Sequence, residues 1–181
     1  MVEKLRTVGI GEMIASTDAD DVLVAYGLGS CVVVCMYDPS VQVGGMLHAL
    51  LPIAPVGEGN RYNAHKYVDS GVALLVTALV ELGAARSRLR AVLCGGAEML
   101  TAPVPDEAFH IGGRNLSSAE TALKRAGVRI SRRVTGGRAG RTVKLYLRDG
   151  QVAVRGPCGE STGCDLPGEQ TVDRVVARCL P

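Results

Sequence analysis

The sequence predicts an α/β domain of the α+β kind, with mixed β-sheets packed as a sandwich and helices flanking them. Three observations lead there. Hydrophobic residues make up 47% of the 181 positions, enough for one real core. The apolar runs outnumber the helical patterns, and the helical patterns fall between them. Gly and Pro contribute 23 and 8 residues without periodicity, which excludes a collagen-like chain and implies many tight turns between short elements.

From the amino terminus, Leu5 to Ala15 is strand-like but interrupted by Gly9 and Gly11, and the polar turn from Ser16 to Asp21 follows. Val22 to Tyr26 restarts as a strand, and Gly27-Leu-Gly-Ser-Cys31 leads into the apolar run Val32 to Met36. Beyond Asp38-Pro39-Ser40, Gly44 to Leu51 is a partner strand closed by Pro52. These two runs read as a hairpin, and their unbroken hydrophobicity requires cover on both faces. A helix is expected from about Ala64 to Leu82, with Val68, Val72, Leu75, Val76, Leu79 and Leu82 as its stripe and Gly83 as its stop. Leu89 to Cys94 is a buried strand ending in Gly95-Gly96, and Thr101 to Arg114 reads as an irregular loop. Ser117 and Glu120 have capping-box spacing for a second helix ending at Gly127. Val128 to Val134 is a strand, and Thr142 to Leu147 pairs with Gln151 to Arg155 around Asp149-Gly150. The composition changes at Gly156, so the expected organisation is one domain over residues 1–155 and a carboxyl-terminal tail over 156–181, with a weak apolar patch at Val172 to Val176.

Composition excludes several functions. With six aromatic residues, none of them Trp, base-stacking platforms are hard to build, and a net charge of +2 is too small for a general polyanion binder, so no nucleic acid is expected. The longest apolar run, Gly71 to Val80, is too short to span a bilayer, so a cytoplasmic protein without membrane insertion is expected. The six cysteines (31, 35, 94, 158, 164, 179) then stay as thiols, and without a Cys-x-x-Cys pair or clustered histidines no metal and no cofactor is implied. Neither glycine-rich stretch is a phosphate loop. Gly27 to Val32 lacks the third glycine and the following helix, and Thr135 to Thr142 lacks the first glycine and the lysine.

Cys31 and His48 form the more informative pair. A cysteine ending a Gly-x-Gly-Ser turn can present its thiol beside outward N–H groups of Ser30 and Cys31, which suits an oxyanion. If Asp38 pairs with Val41, facing residue numbers sum to 79 and Cys31 lies opposite His48. Opposed Cβ atoms would then be about 4.5–5.5 Å apart, close enough for proton transfer. Spacing alone leaves the bland reading open, because buried cysteines are common small hydrophobes and lone histidines are often satisfied core residues. From Arg129 to Arg155 there are eight basic residues and a single acid, Asp149, so this stretch is either a solvated face or a dock for an acidic partner.

The blocks Val8-Gly-Ile-Gly-Glu12, Gly27-Leu-Gly-Ser-Cys-Val32, Gly45-Met-Leu-His-Ala-Leu-Leu-Pro52, Lys66-Tyr67, Gly95-Gly-Ala-Glu-Met99, Ile111-Gly-Gly-Arg-Asn115 and Thr135-Gly-Gly137 occur in the order found in CheD. Over about Leu5 to Arg155 the chain resembles this family of chemoreceptor glutamine deamidases. The resemblance implies mixed sheets with flanking helices, akin to deamidating bacterial toxins with a cysteine hydrolase fold. It implies hydrolysis of receptor glutamine side chains to glutamate with release of ammonia, with the cytoplasmic domains of chemoreceptors as partners and the chemotaxis phosphatase CheC as a further one. It assigns Cys31 as nucleophile and His48 as base. The family's third residue, a Thr six positions before the cysteine, is replaced by Ala25. A second reading follows from that replacement, a weakly active or inactive member that serves as an adaptor for receptor or CheC. Receptor cytoplasmic helices are rich in Glu, so Arg138 and Arg141, on a loop with reach, are the candidates for substrate binding.

Overall fold

The computed structural model describes residues 2–55, 63–98, 110–156 and 175–178. Two five-stranded sheets lie face to face. The first has the order β1 (Lys4–Thr7), β3 (Asp21–Leu28), β8 (Arg141–Tyr146), β9 (Gln151–Arg155), β10 (Val175–Arg178); the second has the order β2 (Glu12–Ser16), β5 (Val43–Ala49), β4 (Val32–Asp38), β6 (Arg90–Gly95), β7 (Arg129–Thr135). Both are mixed, because β1 pairs with β3 and β6 pairs with β7 in parallel while the remaining pairs are antiparallel. Helices α1 (Val68–Glu81) and α2 (Ile111–Arg125) cover the outer face of the second sheet. The result is a sandwich with helices flanking one side, the fold class expected.

Two cores explain the unbroken apolar runs. Val32, Val34, Met36, Leu47 and Ala49 face the helices and meet Val72, Leu75, Leu79 and Leu123. Val33, Cys35 and Met46 point the other way, into the space between the sheets, with Leu23, Ala25, Val143 and Leu145. Every residue of β4 and β5 is therefore buried, as a strand with both faces covered must be. At the end of β4 the buried Asp38 is paired with Arg88 at 2.8 Å. Burial pushes its carboxyl upward, but the Arg88 guanidinium and the N–H groups of Ala85 and Ser40 outweigh that and hold it below the usual range.

Four expectations need correction. The interrupted run at Leu5 to Ala15 is two strands, and the chain crosses from one sheet to the other between them. The first helix opens with a separate 3-10 turn (Ala64–Lys66), and Leu82 lies beyond the helix and is 41% exposed. Helix α2 starts at Ile111, so Ser117 and Glu120 are interior positions and not a cap. Its first turn carries Gly112 because a Cβ there would sit 2.7 Å from the Gly96 carbonyl oxygen, so tertiary packing overrides the poor helix propensity of Gly112-Gly113.

The fourth correction concerns the hairpin. Asp38 pairs with Val43, so facing numbers sum to 81 and His48 lies opposite Val33. The turn is two residues wider than expected because Asp38 Oδ1 accepts the Ser40 N–H and Gln42 adopts a φ of 53°, with its amide donating to the Arg148 carbonyl. The shift is even, so face parity survives, and no bulge occurs at Gly44-Gly45.

Candidate functional site

Cys31 sits immediately before β4, at the end of a loop whose carbonyl groups are tied back one after another. The Gly29 carbonyl accepts the Ala97 N–H at 2.9 Å and the Cys31 carbonyl accepts the Gly96 N–H at 2.8 Å. Between them, the Ser30 carbonyl accepts Asn115 Nδ2 at 2.9 Å. In a trans peptide the N–H points opposite to the carbonyl, so the N–H groups of Ser30 and Cys31 point away from Ala97 and Asn115. Gly95, at φ 102°, makes the close approach possible, since a Cβ there would collide with the Cys31 carbonyl. The thiol is free and nearly buried, at 6% exposure, and burial raises its pKa above the ordinary cysteine value, with its own backbone N–H pulling the other way.

His48 lies on β5, opposite Glu12 of β2 on one side and Val33 of β4 on the other. Cys31 precedes β4 and is two residues before Val33, so continuing the β4–β5 register past the strand's start makes it a diagonal neighbour of His48 instead of its direct partner. The two sites are joined again behind the strand ends, where Asn115 donates to both the Ser30 and Leu50 carbonyls at 2.9 Å. The imidazole is 2% exposed, and its Nδ1 lies 3.1 Å from the Val8 carbonyl oxygen. A carbonyl only accepts, so Nδ1 carries the proton and Nε2 carries the lone pair. Among the described residues, Nε2 has no hydrogen-bond partner. Burial lowers the His48 pKa below the ordinary value, while the Val8 hydrogen bond and the Glu12 charge push it partly back.

Ala25 is fully buried in β3, in the core between the sheets, and offers no hydrogen bond. The orienting contact comes from the main chain of Val8, whose own N–H is fixed on the Val24 carbonyl at 2.8 Å. Sequence reasoning missed Val8 and Asn115. A carbonyl acceptor leaves no side-chain signature, but a buried Asn inside a helix is a detectable one once burial is known.

The loop carrying Arg138 lies beside the Cys31 loop, and Arg141, expected on the same loop, instead opens β8. Leu28 pairs with Arg141, Gly136 N–H binds the Gly95 carbonyl, and Glu98 N–H binds the Gly137 carbonyl. Arg138 is exposed, whereas Arg141 is half-buried and donates to the Gly136 carbonyl at 2.6 Å, holding that loop closed. The remaining basic residues divide: Arg133 pairs with Glu120 at 2.7 Å, and Arg132 is exposed on the edge strand β7. Among the described residues no group of three or more His, Cys, Asp and Glu side chains could hold a metal ion, and no helix is long and apolar enough to cross a membrane. Cys158, Cys164 and Cys179 lie outside the described residues.

The family model described as CheD chemotactic sensory transduction matches residues 50–156. That stretch begins just after His48. Longer similarity comes from individual proteins, each named as a probable chemoreceptor glutamine deamidase CheD. The protein of Symbiobacterium thermophilum is 43% identical over 151 residues, covering 83% of this chain and 92% of that one. Those of Pyrococcus abyssi and Pyrococcus horikoshii are 46% and 43% identical over 148 residues, covering 82% of this chain and 89% and 90% of theirs. Among solved structures, the Bacillus licheniformis hypothetical protein YfiH is similar at a TM-score of 0.46 and 15% identity over 75% of this chain and 61% of that one, too distant to carry an argument.

Proposed function

The chain belongs to the CheD family, and from that premise we propose that it hydrolyses glutamine side-chain amides of chemoreceptor cytoplasmic domains to glutamate, with Cys31 as nucleophile and His48 as base. The observation that carries this reading is the state of His48. Its Nδ1–H is committed to Val8, and its Nε2 lone pair is buried, has no partner among the described residues, and lies on the face that the β4 alternation, continued one residue before Val32, gives to Cys31.

The resting pair is a neutral thiol beside a neutral imidazole, because burial disfavours both charges. Nε2 takes the Cys31 proton as Sγ bonds to the glutamine Cδ, and the carbonyl π electrons move onto oxygen. The N–H groups of Ser30 and Cys31 receive that oxyanion, pre-aimed by the tied carbonyls. The intermediate collapses as Nε2–H gives its proton to nitrogen, the C–N bond breaks and ammonia leaves a thioester. Nε2 then takes a proton from water, hydroxide adds to the thioester carbon, and the C–S bond breaks as Nε2–H returns its proton to sulfur, which releases the glutamic acid side chain and restores the thiol. The balance is glutamine plus water to glutamate plus ammonium.

Arg138, with Arg141 shaping its loop, is the proposed contact for acidic receptor helices, and CheC is a proposed partner by family likeness. Residues 1–155 are the proposed deamidase domain and 156–181 its carboxyl-terminal tail, whose Val175–Arg178 segment adds β10 to the first sheet, in a cytoplasmic protein that uses no cofactor. Ammonia release tests the reading. Wild type should release it from receptor fragments and Cys31→Ala should not. The second reading, a receptor or CheC adaptor, rests on Ala25 and predicts binding by both without ammonia from either.

A further inference from the structure

We propose that Glu12 is a positioning residue for His48, its carboxylate acting on the imidazole through the intervening Val8–Gly9 peptide. The inference rests on His48 being the base. The Val8 carbonyl takes the His48 Nδ1–H at 3.1 Å, and the N–H of the same peptide, on Gly9, donates to Glu12 Oε2 at 2.7 Å. The peptide is trans, so its carbonyl and N–H point in opposite directions and the two hydrogen bonds polarise each other along one line. The shorter bond is the charge-assisted one, as expected. Imidazole, peptide and carboxylate form a relay in which a peptide stands between the base and its acid partner.

The turn is built to hold that relay. Glu12 lies directly opposite His48 in the β2–β5 ladder, its N–H binds the Gly9 carbonyl at 3.0 Å, and Gly11 N–H binds the His48 carbonyl at 2.7 Å. Val8 is anchored on β3 through Val24. A Cβ at Gly9 would stand 3.0 Å from Glu12 Oε2, so glycine admits the carboxylate to its N–H. The titratable groups near His48 are Glu12 from β2, Cys31 from the loop before β4, Cys35 two residues beyond Val33 on β4 and, across Val33, Cys94 from β6. The facing strands β3 and β8 present Leu23, Ala25, Val143 and Leu145, none of which titrates. The Glu12 charge favours the imidazolium that forms when Cys31 gives up its proton. A hydroxyl at position 25 could orient the ring but could not supply that charge.

The test compares wild type, Glu12→Gln and Glu12→Ala by kcat, KM, melting temperature and NMR titration of the His48 imidazole. The Gln variant keeps an oxygen for Gly9 N–H and removes the charge. It should melt with wild type, lower kcat roughly 3–10-fold at unchanged KM, and titrate His48 at lower pH; Ala should lower kcat further. An unmoved His48 titration overturns the proposal, and a lowered melting temperature alone would assign Glu12 to turn stability. The titration needs no turnover. It therefore decides the role of Glu12 even if wild type releases no ammonia, the separate result that would overturn the deamidase reading.

Discussion

Asn115 Nδ2 donates to the Ser30 carbonyl across 85 residues of sequence, and the same amide nitrogen holds the Leu50 carbonyl. One buried side chain on α2 thus fixes the loop that ends in Cys31 to the end of the strand that carries His48.

Removing this clamp should affect both stability and chemistry. Asn115→Ala loses two buried hydrogen bonds and should cost about 2 kcal/mol of unfolding free energy. Asn115→Asp should be worse at neutral pH, because a carboxylate would face two carbonyl oxygens. Denaturant melts measure the first effect. The rate of iodoacetamide alkylation at Cys31, followed by peptide mass analysis, measures whether the loop has moved.

On the proposed mechanism His48 sets the acid limb of activity. Its folded pKa lies below the ordinary value of 6.5, chiefly through burial, and the reaction needs the neutral ring. kcat/KM should therefore hold level down through that value and fall only below it. Stability has the same sign: the contribution of neutral His48 is complete above 6.5 and declines as pH drops toward the folded pKa. A pH profile of kcat/KM beside a pH series of melts checks both, and an acid limb above 6.5 would contradict the assignment.

Restoring a hydroxyl at position 25 should gain little. Val8 already fixes the His48 tautomer, and Ala25 is fully buried between the sheets. Ala25→Thr should change kcat no more than about threefold and cost roughly 1–3 kcal/mol of stability through overpacking. Steady-state kinetics and melts decide it; a rate gain of a hundredfold would show that main-chain orientation is insufficient.

Charge reversal separates Arg138 of the basic loop from Arg141 at the start of β8. Arg138 is exposed and Arg141 is tied to Gly136, so Arg138→Glu should weaken binding of an acidic receptor fragment about 3–10-fold at low salt and flatten its salt dependence. Arg141→Glu should in addition lower the melting temperature. Titration calorimetry at two ionic strengths measures the difference.

Much of this was readable in advance, for physical reasons. Continuous apolar runs at Val32 to Met36 and Gly44 to Leu51 announced strands covered on both faces, and because the register error is two, side-chain alternation still puts Val33 and His48 on one face. The error arose at Gln42, a non-glycine residue at positive φ whose conformation depends on the Arg148 carbonyl far along the chain. The start of α2 was hidden by Gly112, which is there for contact with Gly96 and not for helix formation. The partner of His48 was hidden because it is a carbonyl, and any residue at position 8 would supply one.

Mass spectrometry of receptor cytoplasmic fragments incubated with wild type, Cys31→Ala and His48→Asn tests the Cys31–His48 chemistry most directly. Amide-to-acid conversion at specific glutamines is expected with wild type, none with Cys31→Ala and little with His48→Asn. Equal conversion by wild type and Cys31→Ala, or none by wild type with the fragment bound, would contradict that chemistry.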